Sequence, residues 1–257
     1  AMFDAIIDPV SIEELVFHGY LSRLRSKMTE ATLNVAGVKK RGGEYVEKDL
    51  QAAVDTDDIN ARVVDEIIAL AGDRRSWLCF CSGVDHAQHI ADALNDRGIA
   101  TACVTGTTPK TERARILQDF KDGTLRALTN ANVLTTGFDH PGIDLIAMLR
   151  PTMSPGLYVQ MAGRGLRIAP DKTDCLVLDF AGVVAQHGPI TAVQTPEKTG
   201  TGEGDAPVKV CPECHELCHP IASTCPSCGH EFPPPERKPL ILHDDDIMGL
   251  DDIEMQV

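Results

Sequence analysis

Two arginines, Arg164 and Arg167, stand three residues apart at the end of a run that begins at Gln160. In a helix this spacing places both side chains on one face, one turn apart. Gly163 and Gly165 remove side-chain bulk beside them, so another backbone or a phosphate group can approach closely. Guanidinium groups are always charged and form forked hydrogen bonds to phosphate oxygens, which lysine does less well. The run therefore predicts a phosphate-facing site, although by itself it fits the basic end of a surface helix equally well.

Four cysteines near the C-terminus form a second candidate site. Two Cys-x-x-Cys motifs, ten residues apart, contribute Cys211, Cys214, Cys225 and Cys228. Four thiolates at this spacing close a tetrahedral zinc site that has no open position for catalysis. A segment of about 25 residues cannot bury a useful core, so bound metal would supply its folding energy. Two disulfides are the alternative, and other nearby residues could also serve as ligands: Cys218, His215, His219 and His230.

Composition excludes several classes of protein. The 257 residues carry a net charge of −14 and are 43% hydrophobic, which suits one α/β domain with appendages but not a surface that binds polyanions generally. Contact with nucleic acid must therefore be local. No apolar run reaches membrane-spanning length and no secretory leader is visible, so we expect no membrane partner. A reducing cytoplasm is expected because the other cysteines lie in apolar, strand-like runs; these are Cys79, Cys81, Cys103 and Cys175.

Strand-like and helix-like segments alternate from residue 57, which predicts an α/β fold with a parallel sheet covered by helices on both faces. Small and polar residues follow several of the strands, at the carboxyl ends where open α/β sheets bind ligands. One helix carries His86 and His89, which we interpret as a solvated face because no further metal ligand is near. The predicted strands lie at 77–81, 101–104, 125–128, 145–149 and 175–180.

Changes in composition divide the chain into five predicted segments. The last segment, residues 234–257, holds six acids and no Lys or Arg from His243 onward, which is typical of a disordered, solvated tail. Because its acids alternate with apolar residues, a partner-binding peptide is the alternative. Near Leu33 the first segment has the pattern of an edge strand. The segments are a connector (1–56), the α/β domain (57–190), a flexible linker (191–207), the four-cysteine ribbon (208–233) and the acidic tail (234–257).

The loop from Asn130 to Pro141 and the run from Tyr158 to Arg167 together resemble motifs V and VI of superfamily 2 helicases and translocases. In that family the two motifs belong to the second of two RecA-like domains. The resemblance implies a RecA-like fold for residues 57–190, a small zinc ribbon after it, and a first RecA-like domain ahead of residue 1. That first domain would bind ATP and Mg²⁺, since this sequence has no glycine-rich loop ending in Gly-Lys-Ser/Thr.

The resemblance also implies roles for individual residues. Arg164, Arg167 and Gln160 match family residues that lie across the cleft from the first domain, where the arginines reach the γ-phosphate of ATP, so we expect them to be catalytic. An arginine inserted in this way stabilises the charge that builds on phosphoryl oxygens during hydrolysis. Nucleotide contacts are expected at three further positions: Gly137, Asp139 and Gly163.

Nucleic acid is expected to bind the loops at the strand ends. Ala131 stands where many family members have threonine, so the identity of the contacting residues is left open. For the loops after the first two strands, ordinary βα turns are the alternative. The expected nucleic-acid contacts are Ser82, Gly83, Thr105, Gly106, Asn130, Thr135 and Thr136.

The pattern from Arg150 to Arg167, followed by a linker and a four-cysteine ribbon, resembles the C-terminal half of RadD-type DNA repair helicases. The resemblance implies an ATP-dependent DNA helicase or translocase that acts in repair or recombination on single-stranded or branched DNA. Single-strand-binding or recombination proteins are the expected partners, and the 257 residues alone are expected to be inactive. The alternatives are a binding module without motor activity and a subunit of a restriction-type or phage helicase.

Overall fold

The computed structural model describes residues 10–135, 137–192 and 208–233. Thr136, the acidic tail and the predicted linker from residue 193 lie outside these ranges. Short 3₁₀ turns occur at Gly163–Gly165 and Ile190–Ala192. The helices are α1 (Ile12–Phe17), α2 (Glu47–Val54), α3 (Asp57–Ala71), α4 (Val84–Asp96), α5 (Lys110–Lys121), α6 (Pro155–Ala162) and α7 (Val183–His187). The strands are β1 (Arg23–Met28), β2 (Lys40–Arg41), β3 (Glu44–Tyr45), β4 (Trp77–Cys81), β5 (Thr101–Val104), β6 (Ala127–Ala131), β7 (Leu145–Leu149), β8 (Asp174–Asp179), β9 (Lys209–Val210) and β10 (Leu217–Cys218).

Six of the described strands form one parallel sheet in the order β1-β8-β7-β4-β6-β5. Every residue of β4, β6 and β7 is buried, because helices cover both faces of the sheet. On one face α2, α3 and α4 contribute Leu50, Ile67 and Ile90 to the core. On the other face Phe120 of α5 and Met161 of α6 pack against the opposite side chains of the same strands. The predicted RecA-like α/β fold is confirmed.

The sheet begins earlier in the chain than the sequence predicts. Residues 1–56 are predicted as a connector and the domain as five-stranded, but β1 pairs with β8 in parallel from Arg23↔Asp174 to Met28↔Asp179. This strand lies at the sheet edge and contains three basic residues, so it lacks the apolar pattern of the buried strands. The edge strand predicted near Leu33 is wrong, because Leu33 lies in a loop and is buried in the core.

The ribbon packs on the exposed edge of β1. Glu216 lies between Arg23 and Arg25 of β1, with N–O distances of 3.8 Å and 3.6 Å, and is only 3% exposed. The backbone N–H of Met28 donates to the carbonyl oxygen of His215 at 3.2 Å. Burial raises the pKa of the Glu216 carboxyl, and the two arginines oppose that rise. An otherwise open sheet edge is therefore covered by the ribbon.

None of the described helices is both long and apolar enough to cross a membrane.

The two histidines of α4 have opposite environments, which corrects the interpretation of both as a solvated face. His86 is 1% exposed, and its Nδ1 accepts a hydrogen bond from the backbone N–H of Ser82 at 3.3 Å. Burial lowers the pKa of His86 to about 4. His89 is exposed, and its Nδ1 lies 3.0 Å from both carboxylate oxygens of Asp55, a contact that raises its pKa.

We expect His86 to make stability depend on pH. Between the ordinary histidine pKa of 6.5 and the folded value of about 4, the unfolded chain binds a proton that the folded chain does not. The free energy of unfolding therefore falls as the pH falls through this window, by up to about 3 kcal/mol. His86→Gln should remove this contribution, as measured by urea unfolding at pH 7 and pH 5.

His89→Gln is the matched control on the same helix. Because the pKa of His89 is raised in the folded state, its stabilising contribution is present at low pH and is lost as the pH rises through that raised value. The two substitutions should change the pH dependence in opposite directions. An unchanged pH dependence in His86→Gln would show that this imidazole is not buried in its neutral form.

Candidate functional site

Helix α6 and the 3₁₀ turn after it position the predicted catalytic residues. The Ser154 hydroxyl caps the helix by accepting from the N–H of Leu157 at 3.2 Å, and Pro155 occupies the first turn. Tyr158 and Met161 hold the helix on the sheet through the buried core. Gln160 lies on the opposite, exposed side of the helix. The helix thus presents Gln160 to a surface that another domain could cover.

The chain leaves the α-helix before the two arginines, which differs from the prediction that a helix carries both. The helix ends at Ala162, and Arg164 lies in the 3₁₀ turn Gly163–Gly165. A Cβ at Gly165 would lie 2.6 Å from the Cys175 Sγ and 2.9 Å from a methyl carbon of Leu24. The backbone must therefore pass directly over the sheet at Gly165, where a side chain has no room.

Arg164 and Arg167 converge on the loop that follows β6. Arg164 Nη1 donates to the carbonyl oxygen of Phe138 at 2.5 Å, and Nη2 donates to that of Thr135. Arg167 Nη1 donates to the same Phe138 oxygen at 3.2 Å and lies 3.1 Å from a carboxylate oxygen of Asp139. Both arginines are partly exposed, not enclosed in the hydrophobic interior. The two runs that carry the resemblance therefore form one hydrogen-bonded unit.

The electrostatics of this unit favour an incoming anion. Burial lowers the pKa of the Arg164 guanidinium, the nearby Arg167 lowers it further, and Asp139 opposes both effects. Two guanidinium groups thus lie together with one exposed carboxylate as counter-charge. An anion placed between them would relieve their mutual repulsion.

The loop itself has strained backbone geometry. Asn132 and Leu134 have φ values of +57° and +62°, in the left-handed region that side chains other than glycine rarely adopt. Gly137 has a φ of +71°, which glycine adopts without strain. Such strain persists only where the surroundings impose it, and it concentrates at functional sites. Here the arginine hydrogen bonds to Thr135 and Phe138 supply part of that constraint.

The residues predicted to contact nucleic acid divide into two groups. Ser82 and Asn130 are buried and use their donors within the fold: the Ser82 hydroxyl donates to the Leu149 carbonyl at 2.8 Å, and the Asn130 amide donates to the Cys79 carbonyl at 2.9 Å. Gly83 is also buried.

Thr105 is buried and its hydroxyl lies 2.9 Å from that of Thr107, whereas Gly106 beside it is exposed. Thr135 is half-buried, and Thr136 lies outside the described residues. Gly106 and Thr135 therefore keep access to solvent, and a role for this set in nucleic-acid binding stays a prediction.

The four cysteines predicted from their spacing lie together. The Sγ atoms of Cys211 and Cys228 are 3.5 Å apart, those of Cys214 and Cys225 are 3.6 Å apart, and all four lie within 4.8 Å of one another. Such a group of four thiols could hold a metal ion. Burial raises the pKa of Cys225, but backbone N–H groups of residues 227 and 228 and the neighbouring thiols outweigh this effect and lower it to about 6.

Cys218 lies next to the four-cysteine cluster but does not join it. Its Sγ is 4.0 Å from that of Cys225 and donates to the carbonyl oxygen of Glu216 at 3.5 Å. It is almost fully buried, and burial raises its pKa to about 12. The geometry therefore favours the four spaced cysteines over a set that includes Cys218.

Comparison with known proteins agrees with this geometry. Residues 60–169 match the model of the helicase conserved C-terminal domain. Residues 60–169 therefore carry a helicase C-terminal domain. Over 183 residues this chain is 31% identical to IRC3 of Saccharomyces cerevisiae, a protein named as an ATP-dependent helicase, covering 70% of this chain and 27% of IRC3.

Two further comparisons extend this result. Over 110 residues the chain is 44% identical to irc3 of Schizosaccharomyces pombe, named as a mitochondrial ATP-dependent helicase, covering 43% of this chain and 18% of that protein. The chain thus spans about a quarter or less of the length of these two relatives. A fragment assigned as an HsdR subunit of a type I restriction enzyme from Vibrio vulnificus shares the fold, with a TM-score of 0.58 at 22% identity, covering 74% of this chain and 38% of that chain.

Substitution by alanine should have different effects at Gly163 and Gly165, the two glycines on either side of Arg164. Gly165→Ala is expected to lower the free energy of unfolding by about 1–3 kcal/mol, because the new methyl group overlaps Cys175 and Leu24. Gly163 has φ −58° and ψ −20°, and no described atom outside its own turn lies within 4 Å of the position that a Cβ would take there. Gly163→Ala should therefore be neutral or stabilise by up to about 1 kcal/mol. Urea unfolding measures both, and equal effects would refute the close approach at Gly165.

Proposed function

We propose that this chain is the C-terminal half of an ATP-dependent DNA helicase or translocase, in which Arg164 and Arg167 act on a nucleotide held by a first RecA-like domain. The observation that carries the proposal is the convergence of both guanidinium groups on the loop at Phe138, at a partly exposed surface beside the exposed Gln160. In the conformation described, the Arg164 guanidinium is occupied by two loop carbonyls. Closure of the two domains would offer it phosphate oxygens as stronger, charged acceptors.

The chemistry of phosphoryl transfer explains why two arginines suit this position. Negative charge spreads over the phosphoryl oxygens in the transition state, and a guanidinium placed there stabilises it without taking part in covalent chemistry. Asp139, which pairs with Arg167 at 3.1 Å, would face the ribose side of the nucleotide with Gly137 and Gly163. The helicase domain has no glycine-rich phosphate loop in its sequence, so we infer that the 257 residues alone hydrolyse no ATP.

Nucleic acid would bind where the parallel strands end. Because the chain carries a net charge of −14, contact has to be confined to this edge, with Gly106 and Thr135 as its accessible members. The order of the helicase domain and the cysteine ribbon favours a RadD-type repair or recombination enzyme that acts in the cytoplasm. Its substrate would be single-stranded or branched DNA, and single-strand-binding or recombination proteins would be its partners.

We further propose that Cys211, Cys214, Cys225 and Cys228 hold a structural zinc ion. The ribbon between residues 208 and 233 has few apolar contacts of its own beyond the cysteines, Ala222 and Phe232. A closed tetrahedral site would replace the core that so short a segment lacks. In this proposal the zinc ion stabilises the folded ribbon on the edge of β1 and takes no part in catalysis.

Arg167→Ala tests the proposed role in catalysis. In a protein that joins this chain to its nucleotide-binding RecA-like domain, the ATPase rate should fall by about 10³-fold or more, because the transition-state charge loses its partner. Arg115→Ala is the matched control, since Arg115 is an exposed arginine of α5 whose ion pair among the described residues is with Asp119, at 3.2 Å. The Arg167→Ala protein should keep the oligonucleotide affinity and the thermal stability of the wild type. ATPase activity equal to that of the control would favour a binding module without motor function.

Cys225→Ser and Cys218→Ser together test the metal site. The purified wild-type chain and Cys218→Ser should each contain about one zinc ion per chain by elemental analysis. Cys225→Ser should contain none and should lose the ribbon's protection from proteolysis, because three ligands cannot close the site. Retention of zinc in Cys225→Ser and its loss in Cys218→Ser would instead make Cys218 a ligand.

A further inference from the structure

The carboxyl ends of the central strands are covered by residues 40–54, which comprise β2, β3 and α2 and are called the cover segment below. Glu44 accepts two hydrogen bonds from the turn that follows β7. Its Oε2 accepts from the Thr152 hydroxyl at 2.5 Å, and its Oε1 accepts from the backbone N–H of Met153 at 3.1 Å. One carboxylate thus satisfies a hydroxyl and a backbone donor on the same turn.

The cover segment makes similar contacts at the ends of two more strands. After β6, the side-chain amide of Asn132 donates to Glu47 Oε1 at 2.7 Å. After β4, Gln51 lies against Gly83 so closely that a Cβ at Gly83 would be 1.6 Å from the Gln51 Oε1. Glu44, Glu47 and Gln51 therefore lie over the ends of β7, β6 and β4, the edge where nucleic acid is proposed to bind.

The donors under the cover segment suit a phosphate group as well as a carboxylate. The Thr152 oxygen accepts from the backbone N–H of Ser154 at 3.1 Å, which leaves its own proton to donate outward. Nearby, burial lowers the pKa of the Arg150 guanidinium, while Glu47 and Glu44 oppose that effect. No described residue accepts from Arg150 Nε. The turn thus combines neutral donors with a positive charge, which favours an anion.

The two carboxylates are placed to be exchanged. Glu47 is exposed and Glu44 is half-buried, whereas Thr152 is buried and would become accessible only when Glu44 moves. A hydrogen bond to a carboxylate is stronger than one to a neutral acceptor, but a phosphate oxygen can accept from the same donors with similar strength. The strained left-handed backbone of Asn132, at φ +57°, aims its amide toward the cover segment at the cost of some conformational energy.

We propose that Thr152, Met153 and Asn132 form a binding site for phosphate groups of a nucleic-acid strand, which Glu44 and Glu47 occupy in the covered state and which the strand reaches by displacing residues 40–47. The rest of α2 stays in place, because Leu50 and Val54 are buried in the core. The inference rests on the proposed function, because it assumes that this edge of the sheet faces nucleic acid. It explains how a chain with a net charge of −14 can bind a polyanion, since the carboxylates nearest the site move away on binding.

The phosphate site is linked to the helix that leads to the arginines. The Thr152 carbonyl oxygen accepts a hydrogen bond from His187 Nε2 at 2.9 Å. The His187 ring stacks on Tyr158 of α6, with centroids 5.8 Å apart and planes 19° apart. Exchange of a carboxylate for a phosphate on Thr152 would therefore alter the contacts of Tyr158 in α6, two residues from Gln160.

The test compares two double variants that each remove two negative charges. Glu44→Gln with Glu47→Gln keeps one acceptor oxygen on each side chain but removes the anions that compete with phosphate. Asp73→Asn with Asp171→Asn is the control, because these exposed acids lie in loops before β4 and β8, at the opposite end of the sheet. The probes are fluorescein-labelled oligothymidylate and oligouridylate, each about 20 nucleotides long, with affinity measured by anisotropy at fixed salt.

Removal of the two glutamates should tighten oligonucleotide binding about tenfold, and the control should change it less than about threefold. Adding Thr152→Val to the glutamate variant should abolish the gain. Equal affinities in the wild type and the glutamate variant, or equal gains in both double variants, would overturn the inference and leave the proposed function standing. If none of the chains bound either oligonucleotide, the proposed function would fail as well.

Hydrogen exchange supplies a second measurement on the unmodified chain. Binding of the oligonucleotide should speed amide exchange in residues 44–47, because the part of the cover segment that carries both glutamates is displaced. It should slow exchange at Met153, whose N–H would donate to a phosphate. Unchanged or slower exchange in residues 44–47 with saturating oligonucleotide would show that these residues stay in place, and the inference would be wrong.

Discussion

The hydrogen bonds from Arg164 to the carbonyl oxygens of Thr135 and Phe138 connect the two parts of the site. One part is the loop after β6, whose backbone is strained at Asn132 and Leu134. The other is the turn after α6, which passes over the sheet at Gly165. Without the Arg164 guanidinium, the loop would lose two of the donors that hold its shape, and Arg167 alone would connect it to the turn after α6. The arginine that is proposed to act on a nucleotide is thus also the group that assembles the surface facing it.

Electrostatics in this protein work through local arrangement, because the chain as a whole is acidic. The guanidinium groups of Arg164 and Arg167 lie beside Phe138. At the ends of the central strands, by contrast, carboxylates of the cover segment accept hydrogen bonds from the available donors. A chain of this charge repels polyanions at a distance and can attract them only where acids are paired or displaced. Arg167 is paired with Asp139, and Glu44 on Thr152 is proposed to be displaced, so the two sites would meet that requirement in different ways.

The cysteine ribbon is joined to the helicase domain by more than its linker. Glu216 inserts between Arg23 and Arg25, and the backbone of His215 pairs with β1. A parallel sheet otherwise leaves an edge with unpaired backbone groups, and the ribbon covers this one. Folding of the ribbon is therefore connected to the sheet through a nearly buried carboxylate, and its proposed zinc ion would stabilise both.

Local sequence patterns were enough to predict the α/β alternation, the buried strands from Trp77 onward and the four clustered cysteines, because period, apolar content and ligand spacing act over short stretches of chain. They also predicted a phosphate-facing site at Arg164 and Arg167, which stays a prediction. Three features depended on the tertiary structure: that β1 completes the sheet, that His86 is buried, and that Ser82 and Asn130 spend their donors inside the fold. Glu44 and Thr152 meet across 108 positions of sequence. Such contacts are decided by which strand ends the fold brings together, and no short stretch of sequence contains both partners.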